Sequence, residues 1–307
     1  MREIIRPSGA QWTIASGDHH ATIVEVGGGL RRYRVGDVDV VDGYGEDELC
    51  PGGAGQVLAP WPNRLRDGRY VFDGKTHQLA LSEPATHAAI HGLVRWLPWQ
   101  RVGGSESEIT VACLITAQPG YPWPVELRTT WSLDADGLTV RHEATNLGDA
   151  SCPWGLGVHP YLMLPGVAVD DLVLQVPARS RLLVDGRKLP IGAAKVAGGE
   201  FDYTTPRRIG GAHLDTAFGD LDRGGDGRTE VTVSAPHLDR SVAIWADEAF
   251  SWWQVYTGDT LPPHRARRAV AVEAMTCPPD AFHSGRDVVV LRPGRTWRGT
   301  WGIRPSR

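Results

Sequence analysis

The sequence predicts an all-β protein of sandwich type, with two large antiparallel sheets packed face to face, and three observations predict it. The 37 Gly and 22 Pro among 307 residues are spread along the whole length, as many short strands joined by turns require. Residues 123–145 alternate apolar and polar side chains through two runs separated by Asp134-Ala135-Asp136-Gly137. No long window carries a helical period with caps. Hydrophobic residues make up 41% of the chain, enough for a sizeable core. No repeat, low-complexity tract or linker divides it, so residues 1–307 are expected to form a single domain.

In chain order, His20-Ala21-Thr22-Ile23-Val24-Glu25-Val26 reads as a strand. The Gly27-Gly28-Gly29 that follows has neither the spacing nor the following helix of a dinucleotide site. Leu30 to Val41 reads as one further extended segment. Residues 50–63 are too rich in Gly and Pro for helix and predict a fixed extended loop that presents Asn63 and Arg64. Asp67-Gly68 and Asp73-Gly74 bracket a short hairpin strand at Arg69-Tyr70-Val71-Phe72. The hairpin at 123–145 buries Val125, Leu127, Thr129, Trp131 and Leu133 on one arm and Leu138, Val140, His142 and Ala144 on the other. Further strands are expected at Asp171–Val176, Glu230–Ser234, Ser241–Trp245, Ser251–Tyr256, Ala269–Met275 and Asp287–Leu291.

A net charge of −4 and the lack of a long basic tract argue against nucleic-acid or anionic-membrane partners. Arg265-Ala266-Arg267-Arg268, behind Pro262-Pro263, reads as a solvated loop. Cys50, Cys113, Cys152 and Cys277 are scattered and form no Cys-x-x-Cys pair, which fits a reducing cytoplasm. Met1 to Pro7 holds no long apolar region, and no run approaches a membrane span, so a soluble, unexported protein is expected.

The chemistry centres on Ala271-Val272-Glu273-Ala274-Met275-Thr276-Cys277-Pro278-Pro279. In a strand, Val270, Val272 and Ala274 share one face and Glu273 takes the other, just before a Pro-Pro break. A partly desolvated carboxylate there is either a paired structural Glu or a base with a raised pKa. Asn63-Arg64, His91, His159 and Asp215 stand in the same setting, at strand ends bounded by Gly or Pro. His159, before Pro160, is the sharpest partner for Glu273, since an ordinary imidazole donates a proton near neutral pH. Metal chemistry finds little support: His87 and His91 would lie about 13 Å apart in a strand, and no His-Glu-x-x-His or Cys/His cluster exists. Neither a Gly-x-Ser-x-Gly elbow nor a phosphate-binding Gly-x-x-x-x-Gly-Lys loop is present. What remains suits proton transfer on a neutral, hydroxyl-rich ligand, with Trp faces to stack on a pyranose. Trp61, Trp96 and Trp253 are the candidates by position.

Pro62-Asn63-Arg64-Leu65, His91-Gly92, Gly120-Tyr121-Pro122, His159-Pro160-Tyr161, Leu214-Asp215 and Val272-Glu273-Ala274-Met275-Thr276 occur in that order. With Gly28-Gly29-Leu30 through Tyr44 ahead of them, they make a chain that resembles the aldose 1-epimerase (galactose mutarotase) family over nearly its whole length. The resemblance implies an antiparallel β-supersandwich with few short helices and an open sugar cleft. It implies Glu273 as general base and His159 as general acid. Asn63, Arg64, His91 and Asp215 would hold the sugar hydroxyls and ring oxygen, with Gln254 nearby. It further implies a monosaccharide as the partner, no cofactor, and a monomer or homodimer. Leu93, the Leu162-Met163-Leu164 run and Ala274 depart from the family pattern, which bears on substrate preference. The nearest rival is a hexose-6-phosphate 1-epimerase, favoured by His91 to Trp99, in which Arg95 is otherwise read as a surface or structural ion pair. Two further rivals are a non-catalytic sugar-binding module and a glycoside hydrolase that pairs Glu273 with Asp215.

Overall fold

The computed structural model describes residues 5–306, so Met1 to Ile4 of the N-terminal segment lie outside the described residues. Two large sheets dominate, antiparallel throughout. One runs in the order Gln100–Gly104, Glu108–Ile115, Val125–Leu133, Leu138–Asn146, Thr296–Pro305, Arg240–Ala246, Thr229–Ala235, Val173–Gln175, Arg207–Arg208. The other runs Pro190–Lys195, Ala178–Val184, Asp215–Leu221, Trp252–Tyr256, Val270–Met275, Gly157–Val158, Val57–Leu58, and Tyr161–Leu162 also pairs with Val270–Met275. A four-stranded meander, Gln11–Ser16, His19–Val24, Leu30–Val35 and Val38–Asp39, precedes them. The one α-helix among the described residues is the single turn Ala281–Ser284. No helix among them is long and apolar enough to cross a membrane.

The hairpin at 123–145 forms in the register its alternation demands, with Leu133 opposite Leu138 and Trp131 opposite Val140. One polar residue on its buried face, His142, is fully satisfied. The Trp301 indole N–H donates to its Nε2 at 2.9 Å, which leaves Nδ1–H to donate to Thr129 Oγ1 at 2.8 Å. Burial holds this imidazole neutral, its pKa pushed down to about 3. Trp131, Val140, Ile244 and Ile303 from the first sheet share one apolar core with Phe218, Trp253, Val255, Val270, Val272 and Ala274 from the second. Every residue of the Val270–Met275 strand is buried, because it lies inside its sheet with the core on one face.

Several boundaries differ from expectation. The segment Leu30 to Val41 is two strands around a turn, where Gly36 takes φ +55°. The strand expected from Asp171 begins only at Val173, because Val169–Asp171 closes a 3₁₀ turn. The last short strand is Val289–Leu291 rather than starting at Asp287. Residues 265–268 form a loop that is solvated only in part. Arg265 is buried and donates to both Glu48 oxygens, Arg268 pairs with Asp42, and Arg267 bridges Asp170 and Asp259.

Candidate active site

Antiparallel register brings His159 and Glu273 together. Gly157 pairs with Met275 and Tyr161 with Ala271, so the same register carried through residue 159 sets it against residue 273. Pro160 interrupts the ladder there, and only its carbonyl takes part, accepting from the Val272 N–H at 3.1 Å. The His159 backbone is fixed on its other side, donating to Gln56 O at 3.2 Å and accepting from the Gly55 N–H at 2.8 Å. Its ring stacks on Tyr161 with centroids 5.1 Å apart. Gly53 is required beneath it: φ there is +78°, and a Cβ would stand 3.2 Å from His159 Cδ2. In this setting His159 Nε2 lies 3.4 Å from Glu273 Oε1, while Glu273 Oε2 is buried with no hydrogen-bond partner.

The two groups are shifted in opposite senses. Burial raises the Glu273 pKa well above the ordinary range, Asp215 raises it further, and Arg64 opposes both. Burial pushes the His159 imidazole down to about 4, with the Arg95 charge adding to the fall. The expectation that His159 titrates as an ordinary imidazole near neutrality is therefore corrected. Burial thus disfavours the charged form of each member of the pair.

Around the pair lies a cleft of about 410 Å³ whose walls include Asn63, Arg64, His91, His159, Asp215 and Glu273. Asn63 and His91 clasp each other. The Asn63 N–H donates to His91 Nδ1 at 3.1 Å, and the His91 N–H donates to Asn63 O at 2.9 Å. Both adopt left-handed backbone, φ +54° and +61°, a cost tolerated at sites that need a side chain aimed. Since Nδ1 accepts, the neutral imidazole carries its proton on Nε2 as a donor. Burial lowers the His91 pKa far below 6.5 and keeps it neutral. Arg64 is held by Glu83 through two hydrogen bonds, at 2.6 and 2.9 Å. Asp215 accepts from Gln254 Nε2 at 2.6 Å and lies 3.4 Å from Lys188 Nζ.

Three expectations change. Gln254 is buried and does not line the cleft; its amide holds Asp215. Trp61 and Trp253 belong to the apolar core, their indoles donating to Ala89 O and Thr229 Oγ1. Of the three tryptophans only Trp96, 49% exposed, lines the cleft. Arg95 is half-buried in the cleft wall, its guanidinium 5.5 Å from the Trp96 ring, and among the described residues it forms no ion pair. Sequence reasoning missed Glu83, Tyr161, Tyr256 and Thr260 as cleft residues. Tyr161 alone was signalled, by its place in His159-Pro160-Tyr161. Among the described residues, no group of three His, Cys, Asp or Glu side chains converges as metal ligands would.

Comparison with known proteins agrees with this architecture. The chain is similar to the uncharacterized protein YihR of Escherichia coli K12, 34% identical over 301 residues, covering 98% of this chain and 94% of that protein. It is 28% identical to the aldose 1-epimerase of the same organism over 271 residues, 79% of this chain and 77% of that one. The solved structure of a GalM/aldose epimerase homologue from Caenorhabditis elegans superposes with a TM-score of 0.86 at 18% identity, over 97% of this chain and 99% of that one. The fold is thus the antiparallel one of the galactose mutarotase-like proteins. Residues 10–304 match the family described as aldose 1-epimerase, and with that match spanning both large sheets and every residue of the cleft, the chain belongs to the aldose 1-epimerase family.

Proposed function

We propose that residues 1–307 act as one catalytic domain that interconverts the α and β anomers of free hexoses, with glucose and galactose as the first sugars to test. The observation that carries this reading is the 3.4 Å approach of Glu273 to His159 within a polar cleft. Opening a pyranose requires a base at the C1 hydroxyl and an acid at the ring oxygen. Glu273 takes the first proton and His159 gives the second. The ring then opens to the aldehyde, leaving a protonated Glu273 and a neutral His159. Rotation about C1–C2 presents the other carbonyl face. Reclosure returns each proton by the reverse path and yields the other anomer.

The opposed pKa shifts support this cycle. The ion-pair form serves ring opening, and the neutral form favoured by burial serves reclosure. One proton suffices for both halves. His91 Nε2–H, Arg64 and Asp215 supply donors and an acceptor for the hydroxyls, with the Trp96 face at the rim. The cysteines are four free thiols, which supports a reducing cytoplasm as the working compartment, with the protein a monomer or homodimer. The test is Glu273→Gln, assayed by polarimetry on freshly dissolved α-glucose and α-galactose. General base catalysis contributes about 10²–10⁴-fold, so the variant should retain its fold and lose at least about 100-fold in rate. A folded variant with full activity would remove Glu273 from the reaction.

A further inference from the structure

The charges of the cleft do not cancel. Arg64 is matched by Glu83 through two hydrogen bonds. Asp215 is matched by Lys188. Glu273 and His159 face each other at 3.4 Å and, in the cycle above, share one proton, so the pair is neutral overall wherever that proton sits. Burial pushes the Cys50 thiol up to about 12 and the Tyr161 phenol higher still, so both are uncharged at neutral pH. One cation is left. Arg95 lines the cleft, and among the described residues no carboxylate comes within ion-pair distance of it. Its position is set by the backbone: Gln56 Nε2 donates to Arg95 O at 3.1 Å, and Gly27 packs against the same carbonyl. Burial lowers the Arg95 pKa, a sign that the charge is held partly out of water, yet a guanidinium stays protonated. A half-buried cation without a counter-ion is costly, and a ligand that brings an anion recovers that cost.

The side of the sugar is also indicated. Arg95 stands on the His159 side of the sheet, since its carbonyl is held by Gln56, whose own carbonyl accepts from the His159 N–H, whereas Asp215 lies two strands away on the other side of Glu273. In the cycle above His159 addresses the ring oxygen, whose other neighbour is C5, the carbon that bears the exocyclic C6.

We propose that the cleft selects hexoses with a negatively charged group on the exocyclic C6, and that the Arg95 guanidinium is its counter-ion. This rests on the mutarotase reading for the orientation of the sugar. The group is an oxyanion such as a sulfate or phosphate ester, which a planar guanidinium engages through two parallel N–H donors.

The experiment has a catalytic and a binding arm, both on the full chain. Anomer exchange is measured by NMR for glucose, glucose 6-sulfate and glucose 6-phosphate. Binding is measured by calorimetry with 1,5-anhydroglucitol and its 6-sulfate, which have no anomeric hydroxyl to react. At least one charged sugar should exceed glucose by about tenfold or more in kcat/KM, and the sulfated anhydroglucitol should bind about tenfold tighter than the neutral one. Arg95→Gln should bring both ratios to within about threefold, and Arg95→Lys should restore part of each. Because ratios within one variant are compared, a partly unfolded variant does not mimic the result. Equal handling of charged and neutral sugars by the wild type, or ratios that survive Arg95→Gln, would overturn the proposal. Exchange accelerated equally for all sugars would leave the mutarotase reading standing and remove this one. Charge-dependent binding without any exchange would do the reverse. Preference for either ester supports the assignment, and the ratio between them identifies the group.

Discussion

Gln254 Nε2 donates to Asp215 Oδ1 at 2.6 Å across two neighbouring strands, on the face that also carries Glu273. Gln254 is the direct cross-strand partner of Glu273 and the diagonal neighbour of Asp215, so a neutral amide separates two carboxyls. The residue is a positioning element for Asp215, set beneath the cleft rather than in its wall.

Gln254→Leu should therefore leave the chain folded and cost about 10–100-fold in kcat/KM, the loss of one hydrogen bond to a charged group. KM should rise more than kcat falls, since Asp215 is lost as an oriented acceptor. Gln254→Glu should be worse, because a third carboxyl joins Asp215 and Glu273. Steady-state kinetics on the three proteins decide this, and equal activity in all of them would contradict the assignment.

Glu83→Gln tests the bidentate hold on Arg64 in the same way. Arg64 keeps its charge but loses its fixed fork, and Thr86, which also donates to Glu83, loses a charged acceptor. A KM increase of about 10-fold with kcat nearly retained is expected. A fall in kcat alone would mean that Glu83 acts on the proton-transfer pair instead.

Lys188 reaches Asp215 from a turn, with both side chains partly in water, 47% and 25% exposed. Such pairs contribute about 0–1 kcal/mol. Lys188→Met should lower kcat/KM by no more than about fivefold, and the difference from wild type should shrink at high ionic strength. A larger loss that is insensitive to salt would place the ammonium on the ligand.

The pH profile distinguishes the buried pair from exposed groups. Activity needs one proton on the pair. The acid limb of kcat/KM should therefore follow His159 near 4, where a second proton arrives and no base remains. Rates should stay level from pH 7 down to about 5. A limb near 6.5 would show His159 titrating as a free imidazole.

Stability should respond to acid through His142. Its pKa is depressed to about 3 when folded, so between that value and about 6.5 the unfolded chain binds the extra proton. Stability thus rises with pH across this window and is lost as pH falls, by up to about 1.4 kcal/mol per pH unit from this group. Glu273, whose pKa burial raises, works the other way, its contribution being lost as pH rises through the folded pKa. Thermal unfolding of wild type and His142→Gln between pH 4 and 7 should show a shallower acid slope in the variant. Equal slopes would mean that His142 does not govern the response.

Much of the site was legible in the sequence because strand ends are punctuated by Gly and Pro. Asn63, Arg64, His91, His159, Asp215 and Glu273 all carry that mark, and all six line one cleft. The hairpin at 123–145 was legible because one of its faces is buried and the other is not. The same rule could not sort the tryptophans. Trp252 and Trp253 are both buried on a strand covered on both faces, so alternation there carries no sign of which indole meets the core. Ion-pair partners were equally hidden. Arg265 finds Glu48 and Arg66 finds Asp280, while Arg95 finds no carboxylate among the described residues, and none of this follows from local spacing. The register that sets residue 159 against residue 273 likewise comes from pairing between distant segments.

The Val270–Met275 strand is flanked on both sides by other strands and buried along its entire length. Local opening exposes edges and turns long before it reaches such a position. The Glu273 carboxyl is thus seated where thermal breathing is least, while the Lys188 turn and the exposed rim of the cleft sit where it is greatest. Warming should erode recognition of the sugar well before it disturbs the machinery that moves the protons.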